Sequence, residues 1–129
     1  MSRNLKLYLN DIEISINKIQ KYTQGMDKET LLKNDLTFDA VVHNLQIIGE
    51  ATKNIPPDIK VKYPQVPWRN IVGLRNIIAH TYFSLDEDIL WDIVQNELED
   101  LKACIQLILI HNLWPSLQKK PLKLPLLKA

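Results

Sequence analysis

Arg75-Asn76-Ile77-Ile78-Ala79-His80-Thr81-Tyr82 concentrates a guanidinium, an amide, an imidazole and a phenol within one short stretch. At ~100° per residue a helix puts Asn76 and His80, four apart, on one face, and brings Arg75 and Tyr82, seven apart, nearly into line beside it. Leu74, Ile77 and Ile78 then face elsewhere. An imidazole exchanges protons near neutral pH, and a guanidinium clamps a phosphate through two parallel hydrogen bonds. An amide can fix the imidazole tautomer or hold a phosphate oxygen. These are the groups needed to cleave RNA without a metal. A base takes the proton of a ribose 2′-OH, the oxygen attacks the adjacent phosphorus, a cation stabilises the developing charge, and an acid protonates the leaving 5′-oxygen. One histidine cannot easily be base and acid at once, but a two-fold dimer that apposes two copies of the stretch supplies both. A position near a helix C-terminus also favours a charged imidazolium. Salt-bridge and capping roles use the same residue types, so spacing alone leaves the catalytic and the structural reading open.

Other chemistry is thinly represented. There is no Gly-rich phosphate loop, no HExxH, no GxSxG and no CxxC. His43 and His111 lie at the margins of apolar stripes and lack metal-ligand spacing, so surface or hydrogen-bonded structural roles are expected for both. No cofactor or metal is implied. Cys104, the single cysteine, sits in an apolar stretch and is expected to be a buried, inert thiol.

The elements that must hold the stretch are marked out by proline. Four prolines fall at 56, 57, 64 and 67 and three at 115, 121 and 125, which leaves 1–55 and 68–114 free for long helices. Leu5, Leu9, Ile12, Ile16 and Ile19 share one helical face, and Leu7 and Ile14 are expected to widen it. Gly25 suggests a stop, and Asp27 a cap for the next helical segment. A second helix carries Phe38, Val41, Leu45, Ile48 and Ala51 and should end before Pro56. Residues 56–68 read as a connector with room for a short helical turn after Pro57. A third helix is predicted from Pro67 and Trp68 through Ile71, Leu74, Ile77 and Ile78. Ser84 and Glu87 match a capping box that opens a long fourth helix, with Leu90, Val94, Leu98, Leu101, Ile105 and Ile108 inward and Pro115 at its end. No period-two alternation is sustained. The predicted fold is all-α, a four-helix up-and-down bundle with a short extra helix, over residues 1–114, followed by a Pro/Lys/Leu-rich tail at 115–129.

Composition bounds the alternatives. At 129 residues the chain makes one domain, and 46% hydrophobic with 24% charged residues excludes wholesale disorder. A net charge of +1 argues against a broadly basic nucleic-acid wrapper but not against a local basic site. The tail holds Lys119, Lys120, Lys123 and Lys128 and no acid, leaving twelve basic against fifteen acidic side chains elsewhere. Such a tail is either a solubilising end or a contact for RNA, a membrane or an acidic partner, and its leucines raise the prospect of a partner groove. The N-terminus lacks an apolar signal core, and the longest greasy run, 103–110, is broken by Gln106 and is too short to span a bilayer. A cytoplasmic, non-membrane protein is expected.

Several blocks together resemble a known family. Arg75 through Tyr82 resembles the Arg, four residues, His, one residue, Tyr signature of HepT-like proteins in the HEPN superfamily. Asn44 through Ala51 (NLQIIGEA) resembles the family's "IIGEA" helix, Tyr63-Pro64 through Pro67-Trp68-Arg69-Asn70-Ile71 its "YP…PWR.I" approach, and Trp91 a tryptophan of its last helix. The likeness covers roughly residues 5–112; Thr81 departs from the acidic or other polar residue common at that variable position. The resemblance implies a toxin of a toxin–antitoxin pair, a metal-independent ribonuclease with a composite site in a homodimer or higher oligomer. It implies that Arg75 and His80 are catalytic, Asn76 supports them, and Tyr82 accepts AMP from an MntA-like nucleotidyltransferase antitoxin. Other expectations stay open beside it: a non-catalytic nucleotide- or transferase-binding subunit, or a purely structural helical dimer. Gly49 is expected to permit close helix approach, Glu50 to pair with Arg69 or Arg75, and Trp68 and Trp91 to be packing or dimer anchors.

Overall fold

The computed structural model describes residues 3–74 and 87–113. Every regular element among them is helical: α1 (Arg3–Thr23), α2 (Lys28–Lys33), α3 (Asp35–Lys53), α4 (Pro57–Lys62), α5 (Trp68–Val72), α6 (Glu87–Asp92) and α7 (Leu98–Leu113), with a π-helical turn at Ile93–Glu97 joining the last two. This is the all-α fold expected. The fourth-helix cap residue Ser84, the helix-ending Pro115 and the tail 115–129 lie outside the described residues.

Helix α1 buries Leu5, Leu9, Ile12, Ile16 and Ile19, each at most 2% exposed. Leu7 and Ile14 correct the expectation that they widen this stripe: they are 48% and 51% exposed. At ~100° per residue both fall about opposite the centre of the buried set, so they form a separate outer stripe. Gly25 ends the segment with φ +76°, a left-handed conformation that side chains disfavour. Asp27 caps α2, accepting from the Thr30 N–H at 2.7 Å. Hydrogen bonding from Thr30, through its side chain and its backbone, holds the Asp27 carboxyl below its ordinary range.

The single second helix expected between Gly25 and Pro56 is in fact two. Asn34 stops α2 with extended backbone and restarts the chain as the N-cap of α3, accepting from the Thr37 N–H at 3.0 Å. The asparagine side chain satisfies one helix-start donor, which lowers the cost of a break here. Helix α3 packs along α1 and also carries α5. It buries Val41, Leu45, Ile48, Gly49 and Ala51.

The last rod packs on α1 as well. Gln20 near the end of α1 donates to Glu99 at the start of α7 at 2.6 Å, and Lys28 of α2 pairs with Asp88 of α6. Leu90, Val94, Leu98, Leu101, Ile105 and Ile108 are all buried, as expected. The π-helical turn has no counterpart in the expected pattern. Two successive steps of four residues overrun an α-helical turn by about 40° each. The wider turn, in which the Leu98 N–H bonds the Ile93 carbonyl five residues back, takes up that drift. No helix among the described residues is long and apolar enough to cross a membrane.

Candidate functional site

Arg75, Asn76, His80 and Tyr82 lie outside the described residues, as do Ile77 and Ile78. The described residues include the approach to them. Pro67 precedes α5, which buries Trp68 and Ile71; Gly73 comes next in right-handed helical conformation, and Leu74 is buried. Leu74 is the last described residue before Arg75 in the sequence. A Cβ at Gly73 would sit 3.1 Å from the Asn70 carbonyl oxygen, so glycine lets the backbone turn closely here.

Five residues are too few for a helix to sustain itself, so α5 depends on tertiary anchors. The Trp68 indole N–H donates to the Tyr63 carbonyl at 2.9 Å and the Lys60 carbonyl at 3.2 Å. The Val66 N–H also bonds the Tyr63 carbonyl, at 3.2 Å, and the Trp68 N–H the Val66 carbonyl, at 2.8 Å. Tyr63, 2% exposed, places its hydroxyl 2.6 Å from His111 Nδ1 and accepts from Asn112 Nδ2 at 2.9 Å. The same Asn112 nitrogen donates to the Ile108 carbonyl at 2.8 Å. A carbonyl only accepts, so the amide orientation is fixed. The Tyr63 hydroxyl and His111 Nδ1 share a hydrogen bond whose donor is set by the imidazole tautomer. The Tyr63 and His111 rings meet edge to face, centroids 5.7 Å apart. Burial pushes the Tyr63 phenol above its ordinary pKa, partly offset by the Asn112 bond.

His111 is thus the hydrogen-bonded structural histidine expected, but sequence reasoning missed its partner. Tyr63 and His111 are 48 residues apart, and nothing local links them. A usable signal was the adjacent polar pair His111-Asn112 ending an otherwise apolar helix. His43 is exposed, in an open cleft of about 360 Å³ between α1 and α3 that also includes Tyr8, Asp11, Gln46, Glu50 and Asn54. Trp68 and Trp91 pack against the core, Trp68 8% exposed and Trp91 half-buried. Gly49 is buried on the helix that carries α5, and Arg69 is exposed. Asn44, in the same helix, has a buried Oδ1 without a hydrogen-bond partner among the described residues. No group of three or more His, Cys, Asp or Glu side chains among the described residues is placed to hold a metal ion.

The described fold is all-α, and α5 precedes the Arg75–Tyr82 stretch in sequence. A family model described as "Ribonuclease HepT-like" matches residues 12–108. The chain belongs to that HepT-like family of the HEPN superfamily. It is 38% identical over 106 residues to "Putative RNase MJ1380" of Methanocaldococcus jannaschii, covering 82% of this chain and 97% of that protein. It is 40% identical over 103 residues to "Probable ribonuclease HepT" of Thermococcus cleftensis, covering 80% and 94%. No solved structure matches.

Proposed function

We propose that this chain is the toxin of a toxin–antitoxin pair and acts as a metal-independent endoribonuclease. The observation that carries the reading is the family match over residues 12–108, a span that contains the Arg75–Tyr82 motif. In the proposed reaction a His80 imidazole removes the 2′-OH proton, and the freed oxygen attacks the adjacent phosphorus. Arg75 stabilises the charge on the phosphoryl oxygens, supported by Asn76. The bond to the 5′-oxygen breaks, and a second His80, from the other protomer of a homodimer, protonates that leaving oxygen. The products are a 2′,3′-cyclic phosphate and a 5′-hydroxyl, and the protein works in the cytoplasm.

Neutralisation follows from charge. An MntA-like nucleotidyltransferase transfers AMP from ATP to the Tyr82 hydroxyl: the phenol oxygen loses its proton and bonds the α-phosphorus, the α–β phosphoanhydride breaks and pyrophosphate leaves, adding bulk and a negative phosphodiester within the motif that holds Arg75 and His80. That addition neutralises the phosphate clamp and blocks the RNA path.

Expression of the chain alone tests this reading. Growth arrest is expected with wild type and not with His80→Ala or Arg75→Ala; harmless expression of folded wild type contradicts the toxin assignment. Co-expression with the transferase should raise the intact mass by one or more AMP units. No increase, or one that survives Tyr82→Phe, removes Tyr82 as the acceptor.

A further inference from the structure

Tyr63 joins two parts of the molecule that are distant in sequence. Its backbone carbonyl takes the Trp68 indole and the Val66 N–H, at the entry to α5. Its side chain reaches the other way, into the last turn of α7, where His111 and Asn112 hold the hydroxyl at 2.6 and 2.9 Å. All three side chains are buried, with Asn112 8% and His111 5% exposed. Pro64 and Pro67 restrict the short connection between the two ends. The path from the Tyr63 hydroxyl to Leu74, the residue before Arg75, runs through a proline-stiffened turn, the five-residue α5 and Gly73.

We propose that Tyr63, His111 and Asn112 are positioning residues for the ribonuclease motif: they tie α5 to the end of α7 and so set where Arg75 enters the site. The inference rests on the ribonuclease reading above. Without the hydroxyl, His111 Nδ1 and Asn112 Nδ2 each lose one hydrogen-bond partner inside the bundle. Replacing that bond takes a shift or a water, and the Tyr63 link between the entry to α5 and the end of α7 is broken while the packing of α5 on α3 remains. Displacement of a reacting group by about 1 Å can cost about 100-fold in rate.

The test is a single set of variants read two ways. Tyr63→Phe should lower kcat by about tenfold or more with KM little changed, measured well below its melting temperature. His111→Asn, which keeps a hydrogen-bonding group and cannot titrate, should retain most of the wild-type rate, whereas His111→Leu should resemble Tyr63→Phe. Leu98→Ala, a core truncation in α7 away from the hydroxyl, should lower stability and leave kcat unchanged. Hydrogen exchange supplies the readout independent of activity: the Ile71 and Gly73 amides, bonded to Pro67 and Arg69, should exchange faster in Tyr63→Phe and not in His111→Asn.

A folded Tyr63→Phe with wild-type kcat overturns the positioning role, whatever its exchange shows. Equal kcat losses in Tyr63→Phe and Leu98→Ala overturn it too, since both would then report stability alone. If Tyr63→Phe does not fold, Asn112→Ala, which spares the hydroxyl–imidazole pair, should give a smaller kcat loss, and no loss counts against the proposal. Wild type that leaves RNA intact removes the ribonuclease reading and the positioning role with it, while the exchange data still report whether Tyr63 holds α5.

Discussion

Cys104 is fully buried on α7, and burial, with a smaller contribution from Asp100, pushes its thiol up to about 11 from an ordinary 9.0. The thiolate is the reactive form, so the side chain is inert at neutral pH, as its apolar surroundings suggest. A raised pKa means the folded state favours the protonated thiol. The associated stability is present below pH ~9 and is lost as pH rises through about 11. Tyr63 is shifted in the same direction and adds to the same alkaline limb. Urea unfolding across that window should show wild type losing more stability than Cys104→Ala; parallel curves would show that the thiol does not titrate with folding. The Tyr63 hub itself is not legible in the sequence, because its hydroxyl partners lie 48 and 49 residues away. Residue order marks Tyr63 only as part of a family block.

At the scale of elements, legibility tracks how local each determinant is. The buried stripe of α1 and the inward residues of α6 and α7 arise from a 3.6-residue period, which neighbouring residues carry in themselves. The break at Asn34 depends on one side chain taking over a backbone role, which leaves the period undisturbed, while the π-helical turn shows in the sequence only as the two four-residue steps from Leu90 to Leu98. Leu7 and Ile14 show the opposite failure, where residue type suggests burial and the helical angle places them outside. This gives a direct contrast on one helix. Ile12→Ala, at a fully buried position, should cost about 2–5 kcal/mol, while Leu7→Ser should stay within about 0.5 kcal/mol in chemical denaturation. A large loss for Leu7→Ser would mean that the outer stripe is covered in the folded protein.

For the whole molecule, family membership and the helical architecture agree, and the motif is legible only as an ordered set of residue types. Its four side chains lie outside the described residues. The central claim is that Arg75 and His80 cleave RNA by 2′-oxygen attack with no metal. It is tested most directly by incubating purified protein with RNA in excess EDTA and identifying the new ends. The account predicts 2′,3′-cyclic phosphate and 5′-hydroxyl termini with wild type, and intact RNA with folded Arg75→Ala or His80→Ala. Cleavage that stops in EDTA, or that persists in either variant, would contradict it.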